Sequence, residues 1–115
     1  MTMYIYKLFR AAEWEKARTN GQTEGSPDDH RDGFLHFSTA GQVRTTCDRH
    51  FSNEHNLTLA AVDASLLGSA LMWETSRGGE KFPHLYRPLN LAEVHMVFEI
   101  RRDGNGRPIF PPEIP

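Results

Sequence analysis

The sequence predicts an α+β fold in which a small mixed β-sheet, strongly bent or split, carries two main helices. Three observations lead there. From Val94 to Ile100 the residues alternate, with Val94, Met96, Phe98 and Ile100 on one side and His95 and Glu99 on the other, the period-two signature of a half-buried strand. Leu57 to Val62 is apolar almost throughout, as in a central strand covered on both faces. Helical patterning is confined to Ala11–Asn20 and Thr39–Phe51, so the strands after Phe51 follow one another without regular helices between them, and a doubly wound parallel sheet is excluded.

The chain has 115 residues, enough for one buried core, so residues 1–115 are read as a single domain with one active surface. Thirteen basic and fifteen acidic residues leave a net charge of -2, without the basic excess that phosphate-backbone binding needs, and nucleic acid is not the expected partner. Met1 to Tyr6 has neither the charged start nor the cleavage pattern of an export signal, and no apolar run approaches the ~20 residues of a membrane span. A lone cysteine, Cys47, forms no internal disulfide. The expectation is a soluble cytoplasmic protein without membrane contact.

The remaining elements follow in order. Met3–Phe9, rich in tyrosine, isoleucine and phenylalanine, is a first strand with apolar residues on both faces. Ala11–Asn20 is a short helix anchored by Trp14 and stopped by Asn20-Gly21. Gly21–Arg31 is polar and reads as a plain connector, with a lid as the alternative. Asp32-Gly33 makes a tight turn into the apolar run Phe34 to Phe37. Thr39-Ala40-Gly41-Gln42 then matches a capping box that opens the second helix, whose face of Val43, Cys47, His50 and Phe51 buries the thiol in the core. Ala70–Glu74 is a short strand with Trp73 and Glu74 on opposite faces. Phe82, His84 and Tyr86 alternate onto one face of the next extended segment, where Pro83 argues against a fully paired central strand. Asp103–Arg107 is a hairpin turn, and Pro111, Pro112 and Pro115 stiffen an extended tail that could serve protein contacts.

His36, Ser38, Glu74, His84 and Tyr86 are polar or amphipathic residues set into short apolar segments. Buried without partners they would cost about 1 to 3 kcal/mol each. If Leu35 and Phe37 face the core, His36 and Ser38 share the opposite face, and with His84 and Tyr86 they form a candidate cleft with Trp73 or Glu74 at its edge. Singly, His36 reads as a structural histidine and Ser38 as a helix cap; the convergence makes the site. Ser38 lacks the glycines of a nucleophile elbow. His36, His84 and Glu74 lack zinc-motif spacing, so no metal is expected. No Walker loop or dinucleotide-binding glycine fingerprint is present, and no cofactor follows from the motifs.

Three blocks, Asp32-Gly33-Phe34-Leu35-His36-Phe37-Ser38, then Trp73-Glu74, then Phe82-Pro83-His84-Leu85-Tyr86, together resemble the bacterial family known as domain of unknown function 952. The resemblance covers nearly the whole chain and implies a compact relative of the ADP-ribosyltransferase-like fold, with NAD as the candidate substrate. By that resemblance His36 would orient a ribose with help from Ser38, Tyr86 or Trp73 would stack on nicotinamide, and Glu74 would stabilise positive charge in the transition state. Glu99 is the substitute carboxylate, since Glu74 precedes Tyr86 in this chain. Three readings follow: a cleft for a nucleotide-like small ligand with His84 among its walls, an NAD glycohydrolase or ADP-ribosyltransferase with Glu74 and His36 as catalytic residues, and a structural or protein-interaction domain without a ligand.

Overall fold

The structure, a computed structural model, describes residues 2–115 and is an α+β fold with a curled antiparallel sheet and three helices. The central strand β4 (Leu57–Asp63) pairs on one side with β1 (Tyr4–Phe9) and on the other with β8 (Val94–Arg102), which pairs in turn with β9 (Pro108–Ile109). A second ladder holds β6 (Lys81–Leu85) between β3 (Leu35–His36) and β5 (Leu71–Thr75). A third, two residues long, pairs β2 (Gln22–Thr23) with β7 (Leu89–Asn90). Every pairing among these strands is antiparallel, so the sheet is not mixed.

Alternation along β1 and β4 divides the interior in two. Tyr6, Leu8, Leu57, Leu59 and Ala61 face one core, where α3 (Val43–His50) supplies Val43 and Cys47. Ile5 and Val62 face the other, with Leu35, Phe37, Leu85 and Leu89. The four-stranded ladder is thus the partition between two apolar cores, which explains why β1 and β4 carry apolar residues on both faces. On β8, Phe98 and Ile100 turn inward as expected, but Met96 is 39% exposed, beside an irregularity that shifts the register between Ala61 and Val62.

The ladders meet at Ser38. Phe37 N–H donates to Pro83 O, and one residue later Ser38 and Tyr6 exchange two backbone hydrogen bonds of 2.8 Å each. Pro83 lies in the middle strand of its ladder, yet at its own position the strand is not fully paired, as expected. The carbonyl of Pro83 faces Phe37, and its missing N–H points the same way, toward the place where β3 has already ended.

Helix α1 (Ala11–Asn20) ends as read, with Gly21 in the left-handed region at φ 75° and its N–H on Ala17 O. The polar stretch that follows is not a plain connector. After β2 it forms α2 (Pro27–Asp32), where Ser26 Oγ accepts from Asp29 N–H and the Asp29 carboxylate accepts from Ser26 N–H. Pro27 at the first helical position and Gly33 at the end complete a stop-and-start pattern. The helix expected from Thr39 begins at Val43. Half of its capping box forms, with Thr39 N–H donating to Gln42 Oε1 at 3.0 Å, while a turn occupies the residues between. The tail folds back: Ile114 is buried in the first core, and the Arg44 guanidinium donates to the Ile114 and Pro115 carbonyls.

Candidate functional site

Lys7 is the lone charge in β1 and is only 5% exposed. A buried ammonium needs a counter-charge, and Asp29, 3% exposed on α2, provides it at 2.7 Å. Asp29 also accepts from the Nδ1 side of His36 and from the His36 backbone N–H, while Lys7 donates to His36 O at 3.1 Å. On the other ring edge, His36 Nε2 lies 2.9 Å from an Asp32 carboxylate oxygen. Asp29 and Asp32, one helical turn apart, therefore clasp one imidazole. Burial pushes the Asp29 carboxyl up, but the His36 hydrogen bond and the Lys7 charge outweigh it and hold the group well below the usual carboxylate range.

His84 is the cross-strand partner of His36, with ring centroids 5.6 Å apart, and Phe34 packs on both, stacking on His84 at 3.9 Å. His84 Nδ1 lies 2.8 Å from Glu74 Oε1, which also accepts from the Tyr86 hydroxyl at 2.7 Å. Those bonds, from Tyr86 first and His84 second, lower the Glu74 carboxyl, and the same bond raises the Tyr86 hydroxyl.

A cleft of about 270 Å³ opens between α2, α3 and the loop joining β5 to β6. His36, Ser38 and His84 line it together, with Thr46 of α3, Arg77 and Phe82. Tyr86, 46% exposed, lies outside this lining but on the same side as His84, with its ring 5.2 Å from Phe34 and its hydroxyl on the Glu74 oxygen that His84 also meets. Glu74 is outside it too and reaches the cleft through His84. Trp73, 36% exposed on edge strand β5, pairs with Pro83, and alternation sends it to the face opposite Glu74. Glu99 is exposed on β8 and pairs with Arg101. Among the described residues no group of three or more His, Cys, Asp and Glu side chains is placed to hold a metal ion.

Asp29, Asp32, Lys7, Thr46 and Arg77 escaped the sequence reading. Two signals were present: a lysine inside an apolar strand demands a buried acid, and Ser26-Pro27-Asp28-Asp29 is a helix-start pattern. Nothing local announces Arg77, which lines the cleft from the β5–β6 loop.

The family model described as "Protein of unknown function (DUF952)" matches residues 8–97. The chain belongs to the DUF952 family. Among solved structures, this DUF952 chain is similar to the X-ray crystal structure of protein CC0527 from Caulobacter crescentus, at 45% identity and a TM-score of 0.88 over 92% of this chain and 93% of that one. The solution NMR structure of CC0527 matches at 46% identity and a TM-score of 0.81 over 91% and 90%. A crystal structure of a double mutant of the same protein gives 44% and 0.88. No functionally curated protein matches this DUF952 chain. No helix among the described residues is long and apolar enough to cross a membrane.

Proposed function

We propose that the cleft binds a small nucleotide-like ligand, with NAD or a portion of it as the leading candidate. The observation that carries this reading is the convergence of His36, Ser38 and His84 on one cleft that Phe37 and Phe82 also line. Polar groups to fix orientation and an apolar surface to hold a ring are the ordinary makings of a small-molecule site. The volume of about 270 Å³ lies at the lower edge of ligand pockets, so it suits one nucleotide half, with the remainder of a dinucleotide outside. His36 would meet a ribose hydroxyl by releasing the more exposed Asp32 while Asp29 keeps the ring oriented. The division of the β-structure into two ladders around the cleft is in keeping with an ADP-ribosyltransferase-like arrangement. A cytoplasmic location belongs to the same reading, in keeping with the single cysteine, which is buried.

The test is a thermal-shift and calorimetric series with NAD, ADP-ribose, AMP and nicotinamide. A saturable rise in melting temperature with at least one of them is expected, and His36→Gln should weaken that binding by about 1 kcal/mol. No shift with any of the four at millimolar concentration would overturn the reading.

A second reading, NAD glycosidic-bond cleavage or ADP-ribosyl transfer, draws on the chain Tyr86–Glu74–His84, which brings the influence of a carboxylate to the cleft wall through an imidazole. There Glu74 would stabilise an oxocarbenium-like transition state by keeping His84 oriented, and His36 would hold the ribose. Nicotinamide released from NAD by wild type but not by Glu74→Gln would support it, and NAD recovered intact after prolonged incubation would rule it out.

A further inference from the structure

We propose that the Arg77 end of the cleft is a phosphate subsite, in which the Arg77 guanidinium and the Ser38–Thr46 hydroxyl pair receive the phosphoryl group of the ligand; this rests on the small-ligand reading of the cleft. Arg77 sits in the β5–β6 loop, half-buried, with its guanidinium carbon 4.8 Å from the centre of the Phe82 ring. That packing fixes the plane of the fork. Among the described residues only one side-chain contact uses its donors, from Nη2 to Thr46 Oγ1 at 3.2 Å. Thr46 Oγ1 is in turn 2.8 Å from Ser38 Oγ, so a guanidinium and two hydroxyls form one continuous string along the cleft wall.

The charge on Arg77 is not matched. Arg10, Arg31 and Arg87 each hold a carboxylate within ion-pair distance, and Arg77 holds none among the described residues, although Glu80 is close enough to act on it. Burial first, and then the charge of Arg49, pull the Arg77 guanidinium below its ordinary value. At the same end, burial and then Arg77 lower the His50 imidazole. The Arg77 cation thus sits in a field of its own sign at the wall of a cavity, beside a His50 ring that burial and Arg77 bias toward its neutral form. A dianionic tetrahedral group would relieve it, and the planar fork of an arginine matches such oxygens with two parallel donors. The Ser38 and Thr46 hydroxyls rotate freely enough to donate to a third oxygen.

The phosphoryl group could be the terminal monoester of a mononucleotide or the internal diphosphate of a dinucleotide, and the experiment separates them. Wild type, Arg77→Gln and Arg77→Lys are titrated by calorimetry with inorganic phosphate, pyrophosphate, adenosine, AMP and NAD at constant ionic strength. AMP or NAD should bind wild type at least about tenfold more tightly than adenosine. Arg77→Gln should abolish that advantage while leaving adenosine binding unchanged, and Arg77→Lys should retain part of it. Preference for AMP over NAD assigns the monoester, and the reverse the diphosphate. Adenosine binding as tightly as AMP and NAD would overturn the subsite and leave the cleft reading standing. Binding of inorganic phosphate or pyrophosphate lost in Arg77→Gln, with no added affinity from a nucleoside, would support the subsite and overturn the nucleotide reading. No binding by any probe would overturn both.

Discussion

His36 and His84 face one another across the β3–β6 ladder, and each imidazole is held by carboxylate from a different part of the chain. Asp29 and Asp32 come from α2, and Glu74 comes from β5. Two rings 5.6 Å apart, bridged by Phe34, are therefore fixed from opposite directions. Such outer support sets ring orientation before any ligand arrives.

The Lys7–Asp29 pair should behave as a buried ion pair whose halves depend on each other. Removing one partner leaves the other charge desolvated, so Lys7→Met or Asp29→Asn alone should cost about 3 to 5 kcal/mol. The double variant should cost clearly less than the sum. Urea denaturation of the four proteins measures the cycle, and strictly additive losses would show that the two side chains act independently.

Acid should expose the same pair. The Asp29 carboxyl is lowered in the folded state, so as pH falls the unfolded chain binds the proton first. Its contribution is complete above the ordinary aspartate value of about 3.9 and is lost as pH drops below it toward the folded value. Urea midpoints taken between neutrality and strong acid should fall more steeply for wild type than for Asp29→Asn. Parallel curves would mean that Asp29 does not carry the acid sensitivity.

Gly25 should resist substitution. Its φ is +90°, and a Cβ there would collide with Asp29 Oδ2 and Leu35 Cδ2. Gly25→Ala therefore combines backbone strain of about 1 to 2 kcal/mol with displacement of the Asp29 carboxylate, for a total loss above about 2 kcal/mol. Gly104→Ala is the control, since no atom lies within 4 Å of the added carbon. A thermal melt separates them, and equal midpoints would contradict the prediction.

Cys47 should be inert. It is fully buried in the first core, and burial pushes its thiol above the ordinary value. A bulky thiol reagent should label it only after denaturant is added. Rapid stoichiometric labelling of the native protein would refute its placement.

What could be read from the sequence was whatever depends on periodicity. The alternation at Leu35-His36-Phe37-Ser38 predicted which side chains share a face: Leu35 and Phe37 pack in the second core, while His36 and the equally buried Ser38 line the cleft, whose wall Phe37 also reaches. The apolar run at Leu57 predicted a central strand, and it is one. What could not be read was where that rule meets a chain end or a long-range partner. Tyr86 keeps the face of His84, sharing Glu74 Oε1 and the Phe34 ring with it, but lies one step past the end of β6 and so falls outside the cleft lining. The third helix was hidden because its six residues have no apolar stripe: capping and the reach of Asp29 to Lys7 hold it instead. Pro83 does prevent full pairing, but that β6 is nonetheless a middle strand depends on the early end of β3, which is invisible in one sequence.

Ser38 joins two roles in one residue. Its main chain is stitched to Tyr6, the seam along which the two ladders are sewn, and its hydroxyl faces the cleft. A molecule resting on that hydroxyl presses on the seam itself, so occupancy and cohesion become one quantity. Whatever fills the cleft also resists the parting of the two cores, and the protein should then melt as one cooperative body.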